Sequence, residues 1–245
     1  MHSGLDRAFT TTNLRELPIC MSSALPMLVM AHGWLLRGSL WQPLLRRLEP
    51  RWRCWAPDLP GCGEAIRPAG LRPTLPAYGR WLAAEASRRA NGSPLVLIGH
   101  SLGGSVVLHA SEQLRPQLLG VVLIGSGGGV YQRRPFRQLR RVGHVLALTQ
   151  RDRRAARGLL INSTQRRAVA DLPKRVARLA VPSLWIAGSR DRVMQLLYVR
   201  HLAGYAPDHE VEVLEGAGHL PMRDQPGPLQ QLLEPWLQRV ASPRS

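Results

Sequence analysis

Lysine is all but missing from this chain of 245 residues: Lys174 stands alone among 33 basic side chains. Acidic residues are scarce as well, with 16 Asp and Glu, which leaves a formal net charge of +17. An excess of that size admits nucleic acid, a membrane surface or an anionic substrate as partner. Its distribution narrows the choice, because residues 131–178 hold 13 Arg and Lys174 against only Asp152 and Asp171, a net +12. No nucleic-acid-binding motif, zinc spacing or basic sheet interleaved with aromatics accompanies that segment, so no specific nucleic-acid partner is expected. What remains is a solvated arginine-rich face, or a surface for an anionic substrate or an anionic membrane.

Cysteine is sparse too. Cys20, Cys54 and Cys62 form an odd set without metal-type spacing, so neither a disulfide framework nor a metal site follows, and none lies in a nucleophile-like turn. They read as reduced, mostly buried thiols. No apolar run is long enough to span a membrane: "PICMSSALPMLVMA", Pro18 to Ala31, is broken by Pro26 and two serines and falls short of the roughly 20 residues required. Asp6, Arg7, Arg15 and Glu16 precede it, and "HGW" follows where a small-residue cleavage site would stand. A signal peptide is therefore not expected, and the chain reads as cytoplasmic.

Internal repeats are absent as well, and the length fits one domain with a full core. Apolar runs recur at Met27–Ala31, Trp52–Ala56, Leu95–Gly99, Val121–Gly125, Ser183–Ala187 and Glu210–Leu214. Helical spacing falls between most of them, over about 39–48, 74–90, 102–114, 193–204 and 226–240. Such alternation predicts an α/β protein whose mostly parallel sheet is covered by helices on both faces. "RPAGLRPTLP", Arg67 to Pro76, is a loop, since its prolines deny it a ladder or a helix interior. Nearly 60 residues separate the fourth and fifth runs, far more than one crossover needs. They read as an insertion over about 127–178 that opens with "GSGGGV", carries the basic segment and closes with a short helix in "DLPKRVARLAVP". An excursion from the carboxyl end of a parallel sheet is placed to cover the ligand crevice.

The stretch "PLVLIGHSLGG" runs an apolar strand into a serine hemmed in by glycines, with Gly99, Ser101 and Gly103 at G-x-S-x-G spacing. The spacing alone is weak; a strand before it and a helix after it give it meaning, because that turn exposes the serine hydroxyl. A serine is a poor nucleophile unless a base takes its proton and an acid orients the base. "LEGAGHLPMRDQP" sets His219 in a loop after the last strand, and "LWIAGSRDRV" sets Asp191 just past the strand before it. A lone loop histidine is usually solvated, and an aspartate after a strand is usually a turn former. Three strand-end positions agreeing on one mechanism favour the catalytic reading. The N–H of Leu102, next after the serine, and that of Trp34 in "MAHGWLLRGSLW" are the candidate oxyanion donors, with Gly33 permitting close approach. His32 is read as shaping that loop, and His109, His144, His201 and His209 as structural or solvated.

With "HGW", "DLPGCG", "GHSLGG", "GSRD" and "GAGHLP" in this order, the chain from about Met27 to Val240 resembles the α/β-hydrolase superfamily, specifically its small serine hydrolases with an inserted cap. The resemblance implies an α/β-hydrolase fold with a small helical cap, Ser101 as nucleophile, His219 as base, Asp191 as acid, and Trp34 and Leu102 as oxyanion hole. It implies no metal or organic cofactor, a small acyl substrate, and cleavage of a carboxylic ester or thioester through an acyl-enzyme. Alternatives are a C–C bond hydrolase or lyase using the same residues for proton transfer, and a non-enzymatic ligand-binding or interaction protein. Relatives that dehalogenate or open epoxides resemble it except for an aspartate nucleophile, so Ser101 points away from those activities. Asp58 of "DLPGCG" reads as structural. Two features depart from the pattern: a short segment ahead of the first strand, and a cap that is small and basic.

Overall fold

The computed structural model describes residues 25–127 and 133–242; Cys20, the segment before residue 25 and the glycines of "GSGGGV" beyond Gly127 lie outside them. Six strands form one sheet: β1 (Met27–Ala31), β2 (Arg53–Trp55), β3 (Leu95–His100), β4 (Leu118–Ile124), β5 (Ser183–Gly188) and β6 (His209–Leu214). Their order is β2-β1-β3-β4-β5-β6, and every pairing is parallel. Strands β1, β3 and β5 are buried at every residue, which is why they read as unbroken apolar runs rather than alternating ones. Strand β4 starts at Leu118, ahead of the expected Val121. Gly120 hides this start in the sequence; it gives way to the Trp236 ring, and the pairing shifts register between Leu95 and Val96.

Side chains alternate across the sheet into two cores. Val29, Leu97 and Trp185 belong to one, with Tyr78 and Leu82 from helix α2 (Leu75–Ala90), Val106 and Val107 from α3 (Leu102–Ser111), and Val199 and Leu202 from α7 (Leu196–Ala203). Leu28, Ile98 and Ile186 belong to the other, with Leu44 and Leu48 from α1 (Gln42–Leu48) and Leu229, Leu233 and Trp236 from α9 (Pro226–Ala241). Helices thus cover both faces, as the alternation predicts. The short helix α8 (Pro221–Asp224) has no counterpart in the sequence reading; four residues give no periodicity to detect.

Between β4 and β5 the chain forms three helices, α4 (Arg133–Leu148), α5 (Arg153–Thr164) and α6 (Arg166–Val176), where the sequence suggests one short closing helix. Apolar residues such as Leu139, Val142, Val145 and Leu146 recur there at helical spacing among the arginines, a pattern the sequence reading left unused. Helix α5 is tied to the body at several points. Asp152 caps it by accepting from the Ala155 N–H at 2.8 Å while also accepting from Arg67 Nε at 2.7 Å. Asn162 donates to the Pro73 carbonyl at 3.1 Å, and Gly158 lies where any side chain would strike Pro73. Arg175 of α6 reaches Glu112, just past α3, at 2.7 Å. Helix α4 lies outermost, with Val142, Val145 and Leu148 more than half exposed. No helix among the described residues is long and apolar enough to cross a membrane.

Candidate active site

The strand order reverses between β1 and β3, and a crevice opens at such a switch point beyond the carboxyl ends of the strands. Ser101 follows β3 there at φ 53° and ψ −120°, a left-handed backbone that side chains other than glycine seldom adopt. The surrounding structure holds this strain. The Ser101 N–H donates to the Ile124 carbonyl at 3.0 Å, and the Ser101 carbonyl accepts from the Gly104 N–H at 3.0 Å and the Ser126 hydroxyl at 3.1 Å. The flanking glycines allow strand and helix to close on each other: a Cβ on Gly99 would stand 2.5 Å from the Gly104 Cα, and one on Gly103 would overlap the Ala31 and His32 carbonyl oxygens. Ser101 itself stays partly exposed.

Asp191 and His219 occupy adjacent strand-end loops. Gly188, closing β5, has no room for a side chain beside the Ala217 and Gly218 carbonyls, and the Arg190 N–H donates to the Ala217 carbonyl at 2.9 Å. The loops are thereby locked together. Asp191 Oδ1 accepts from the Val193 and Met194 N–H groups, each at 2.8 Å, which leaves Oδ2 to accept from His219 Nδ1 at 2.7 Å. The carboxylate is 1% exposed and the imidazole 19%. With its proton on Nδ1, His219 keeps Nε2 free to accept one. Gly125, at φ 53°, lies so close to this pair that a Cβ there would stand 3.3 Å from both Asp191 Oδ2 and His219 Nδ1. Ser101 is hydrogen-bonded to Ile124, the residue before Gly125, so serine, imidazole and carboxylate all stand at the carboxyl edge of the sheet.

His100, which the sequence reading passes over, joins them from beneath. It is fully buried, its ring lies 4.7 Å from that of His219, and its Nε2 donates to the His219 carbonyl at 2.7 Å. Burial, and next the neighbouring His219, push its pKa down to about 3, so the ring is neutral and carries one N–H. Among the described residues its Nδ1 has no hydrogen-bond partner. The signal available was its place in the strand, directly before the strained serine.

The loop after β1 completes the edge. His32 Nε2 accepts from the Leu59 N–H at 2.9 Å, which puts its proton on Nδ1, the donor to the Gly33 carbonyl at 2.8 Å. Both nitrogens are spent on backbone, the loop-shaping role expected of it. Asp58 ties the same region together, taking the Gly38 N–H at 2.6 Å and the Glu64 N–H at 2.8 Å. Gly33 is packed against His100 and Ser101, since a Cβ on it would lie 3.0 Å from His100 Nδ1 and 3.2 Å from the Ser101 Cβ. That contact brings the Trp34 backbone to the side of the serine opposite the β4 end. Among the described residues neither the Trp34 nor the Leu102 N–H has a hydrogen-bond acceptor. The Trp34 indole, by contrast, donates to the Ala156 carbonyl of α5 at 2.9 Å.

Cys54 and Cys62 are free and only partly buried; burial is the first cause of thiol pKa values near about 12. Among the described residues no three His, Cys, Asp or Glu side chains are grouped to hold a metal ion. Chemically, the arrangement offers a strained, reachable hydroxyl, an oriented base with a buried carboxylate behind it, and two unclaimed backbone donors.

A protein from Xanthomonas axonopodis pv. citri, named pimeloyl-[acyl-carrier protein] methyl ester esterase, is 31% identical over 80% of this chain and 88% of its own length. Among solved structures, a thermophilic esterase from Thermogutta terrifontis superposes with a TM-score of 0.75 at 23% identity, covering 89% of this chain and 91% of the other. A 2-hydroxy-6-oxo-6-phenylhexa-2,4-dienoate hydrolase from Rhodococcus superposes at 0.67 and 19% identity, over 88% of this chain and 90% of the other. Likeness at that level of identity speaks for the fold alone. The model of the alpha/beta hydrolase family matches residues 28–229, from β1 into the first turn of α9. The chain belongs to the alpha/beta hydrolase family.

Proposed function

We propose that this protein is a serine esterase that cleaves a carboxylic ester or thioester through an acyl-enzyme on Ser101. The observation that carries the reading is the 2.7 Å bond between His219 Nδ1 and a carboxylate otherwise satisfied by backbone N–H groups, beside a serine in strained backbone. In this reading Ser101 Oγ attacks the acyl carbon as its proton passes to His219 Nε2, and Asp191 stabilises the imidazolium so formed. Negative charge growing on the carbonyl oxygen is met by the Trp34 and Leu102 N–H groups. His219 then protonates the leaving alcohol or thiol; water, deprotonated by the same nitrogen, releases the acid.

We assign the whole chain to one α/β-hydrolase domain, with residues of about 127–178 as its cap. Substrate class rests on two supports, the methyl ester esterase name of the Xanthomonas relative and the net +12 of residues 131–178. Together they favour an acyl ester presented by an anionic partner such as a carrier protein. The deciding experiment is labelling with a fluorophosphonate probe, with and without Ser101→Ala, followed by an ester panel of graded chain length. Labelling that depends on Ser101 together with ester turnover is expected. Labelling without ester turnover transfers the reading to C–C cleavage, and no labelling leaves a binding role.

A further inference from the structure

We propose that the Trp34 side chain is a positioning residue through which helices α4 and α5 set the place of the oxyanion donor on its own backbone; the inference rests on the reading above. The loop carrying that donor is clamped at both ends. His32 is fixed by the Leu59 N–H and the Gly33 carbonyl, and Gly38 donates to Asp58. Between the clamps, the Trp34 N–H and the Leu35 backbone make no hydrogen bond among the described residues, and the donor peptide is held at its Gly33 carbonyl, which accepts from His32 Nδ1 at 2.8 Å and from the Leu36 N–H at 3.3 Å. Leu35 sits at φ 59°, so the turn is also strained. Those bonds fix the carbonyl end of the Gly33–Trp34 peptide, and the place of its N–H end depends as well on what holds the Trp34 side chain. That holder is α5, through the 2.9 Å bond from Trp34 Nε1 to the Ala156 carbonyl.

The anchor is firm because α5 is fixed to the body by Asp152 with Arg67 and by Asn162 with the Pro73 carbonyl. The second constraint comes from α4. At Gly143 this helix approaches so closely that a Cβ would lie 2.9 Å from Trp34 Cη2 and 2.8 Å from Leu160 Cδ2. Outer helix, indole and donor loop are therefore in series, with no flexible side chain between α4 and the ring. Movement of α4 reaches the peptide that receives the developing charge. Misplacement of such a group by about 1 Å costs about a hundredfold in rate.

The test is a cycle of Trp34→Phe and Gly143→Ala, read with p-nitrophenyl butyrate and with butylboronic acid as a tetrahedral-adduct probe. Trp34→Phe keeps a ring and loses the N–H, so kcat should fall by about ten- to a hundredfold with KM unchanged. Affinity for the boronic acid should fall by the same factor. Gly143→Ala pushes on Cη2 and should lower kcat in the parent; in the Trp34→Phe background that carbon is gone, and the added methyl should have little further effect. The Leu160 contact is common to both backgrounds and cancels. If Trp34→Phe does not fold, Trp34→Leu, which also lacks both the N–H and Cη2, takes its place in the cycle. Raised KM with intact kcat and boronic-acid affinity, or losses that multiply across the cycle, would overturn the inference. Failure of a fluorophosphonate to label Ser101 in the parent would instead remove the esterase reading beneath it.

Discussion

Replacing Asp191 by asparagine sets two demands on one side chain against each other. The carboxylate accepts three hydrogen bonds, two on Oδ1 from the Val193 and Met194 N–H groups and one on Oδ2 from His219 Nδ1. An amide offers one oxygen and one NH2 group. Turning the oxygen toward His219 would point N–H at two backbone donors, so the oxygen stays with the backbone and the NH2 faces the imidazole. His219 must then accept on Nδ1 and carry its proton on Nε2, the tautomer that cannot receive the serine proton. The expected loss in kcat is about 10⁴-fold, or about 5 kcal/mol at about 1.4 kcal/mol per tenfold. Folding should suffer far less, because both backbone donors keep an acceptor; losing the charge costs about 1–2 kcal/mol, a drop of several degrees in Tm. Hydrolysis of p-nitrophenyl butyrate and the rate of fluorophosphonate labelling would be followed beside thermal unfolding. A folded variant that keeps more than about a tenth of the parental rate would refute this assignment of the proton, and Glu215 or Asp224 would be the carboxylate to test next.

Gly103→Ala should damage stability rather than chemistry, because its methyl would overlap the backbone oxygens of Ala31 and His32; overpacking of this kind costs about 1–3 kcal/mol or more, and an unchanged Tm would contradict the close approach. Burial holds His32, His100 and His109 below the usual imidazole range, His100 to about 3 and His109 to about 4. The unfolded chain binds protons that the folded one refuses, so their stabilisation is complete above about pH 6.5 and is lost as pH falls toward those values. The urea midpoint should accordingly fall between about pH 7 and about pH 5, and a flat or rising midpoint would count against it. Neutralising Arg133, Arg134, Arg137, Arg140 and Arg141 together should weaken turnover or binding of anionic partners and spare an uncharged ester; added salt should mimic it, since exposed charges act over only about 8–10 Å at physiological ionic strength. Equal behaviour of both proteins on every partner would reduce these charges to solubility.

The sheet was legible because a strand buried on both faces must be apolar throughout, and β1, β3 and β5 leave no other reading of their sequences. Gly99 and Gly103 were legible for a related reason: only glycine permits the backbone approach that brings α3 under β3. Strand-end placement of Ser101, Asp191 and His219 also followed from sequence, since each stands directly beyond a recognisable run. Contacts made at long range did not. The indole of Trp34 finds its acceptor 122 residues away, and nothing local marks it. His100 was hidden by its motif, where attention falls on the serine. Helices α4–α6 were legible as well, since Leu139, Val142, Val145 and Leu146 recur at helical spacing and Asp152 ahead of "RRAARGLL" is an N-cap signal, but the arginine content drew attention to charge instead.

His219 hangs from β6, which among the described residues is an edge strand paired only with β5, and which exposes much of its length. Its partners beneath the site lie far earlier in the chain, His100 being 119 residues before it. On the proposed mechanism, a ribosome-bound chain that has completed β1 through β4 has its serine bend but no base, and should stay inert until the last strand docks. The same dependence works in reverse in the finished protein. Edge segments open locally at lower free energy than the centre of a sheet, so proteolysis or heating that frees β6 and α9 should silence the protein while the central strands remain paired.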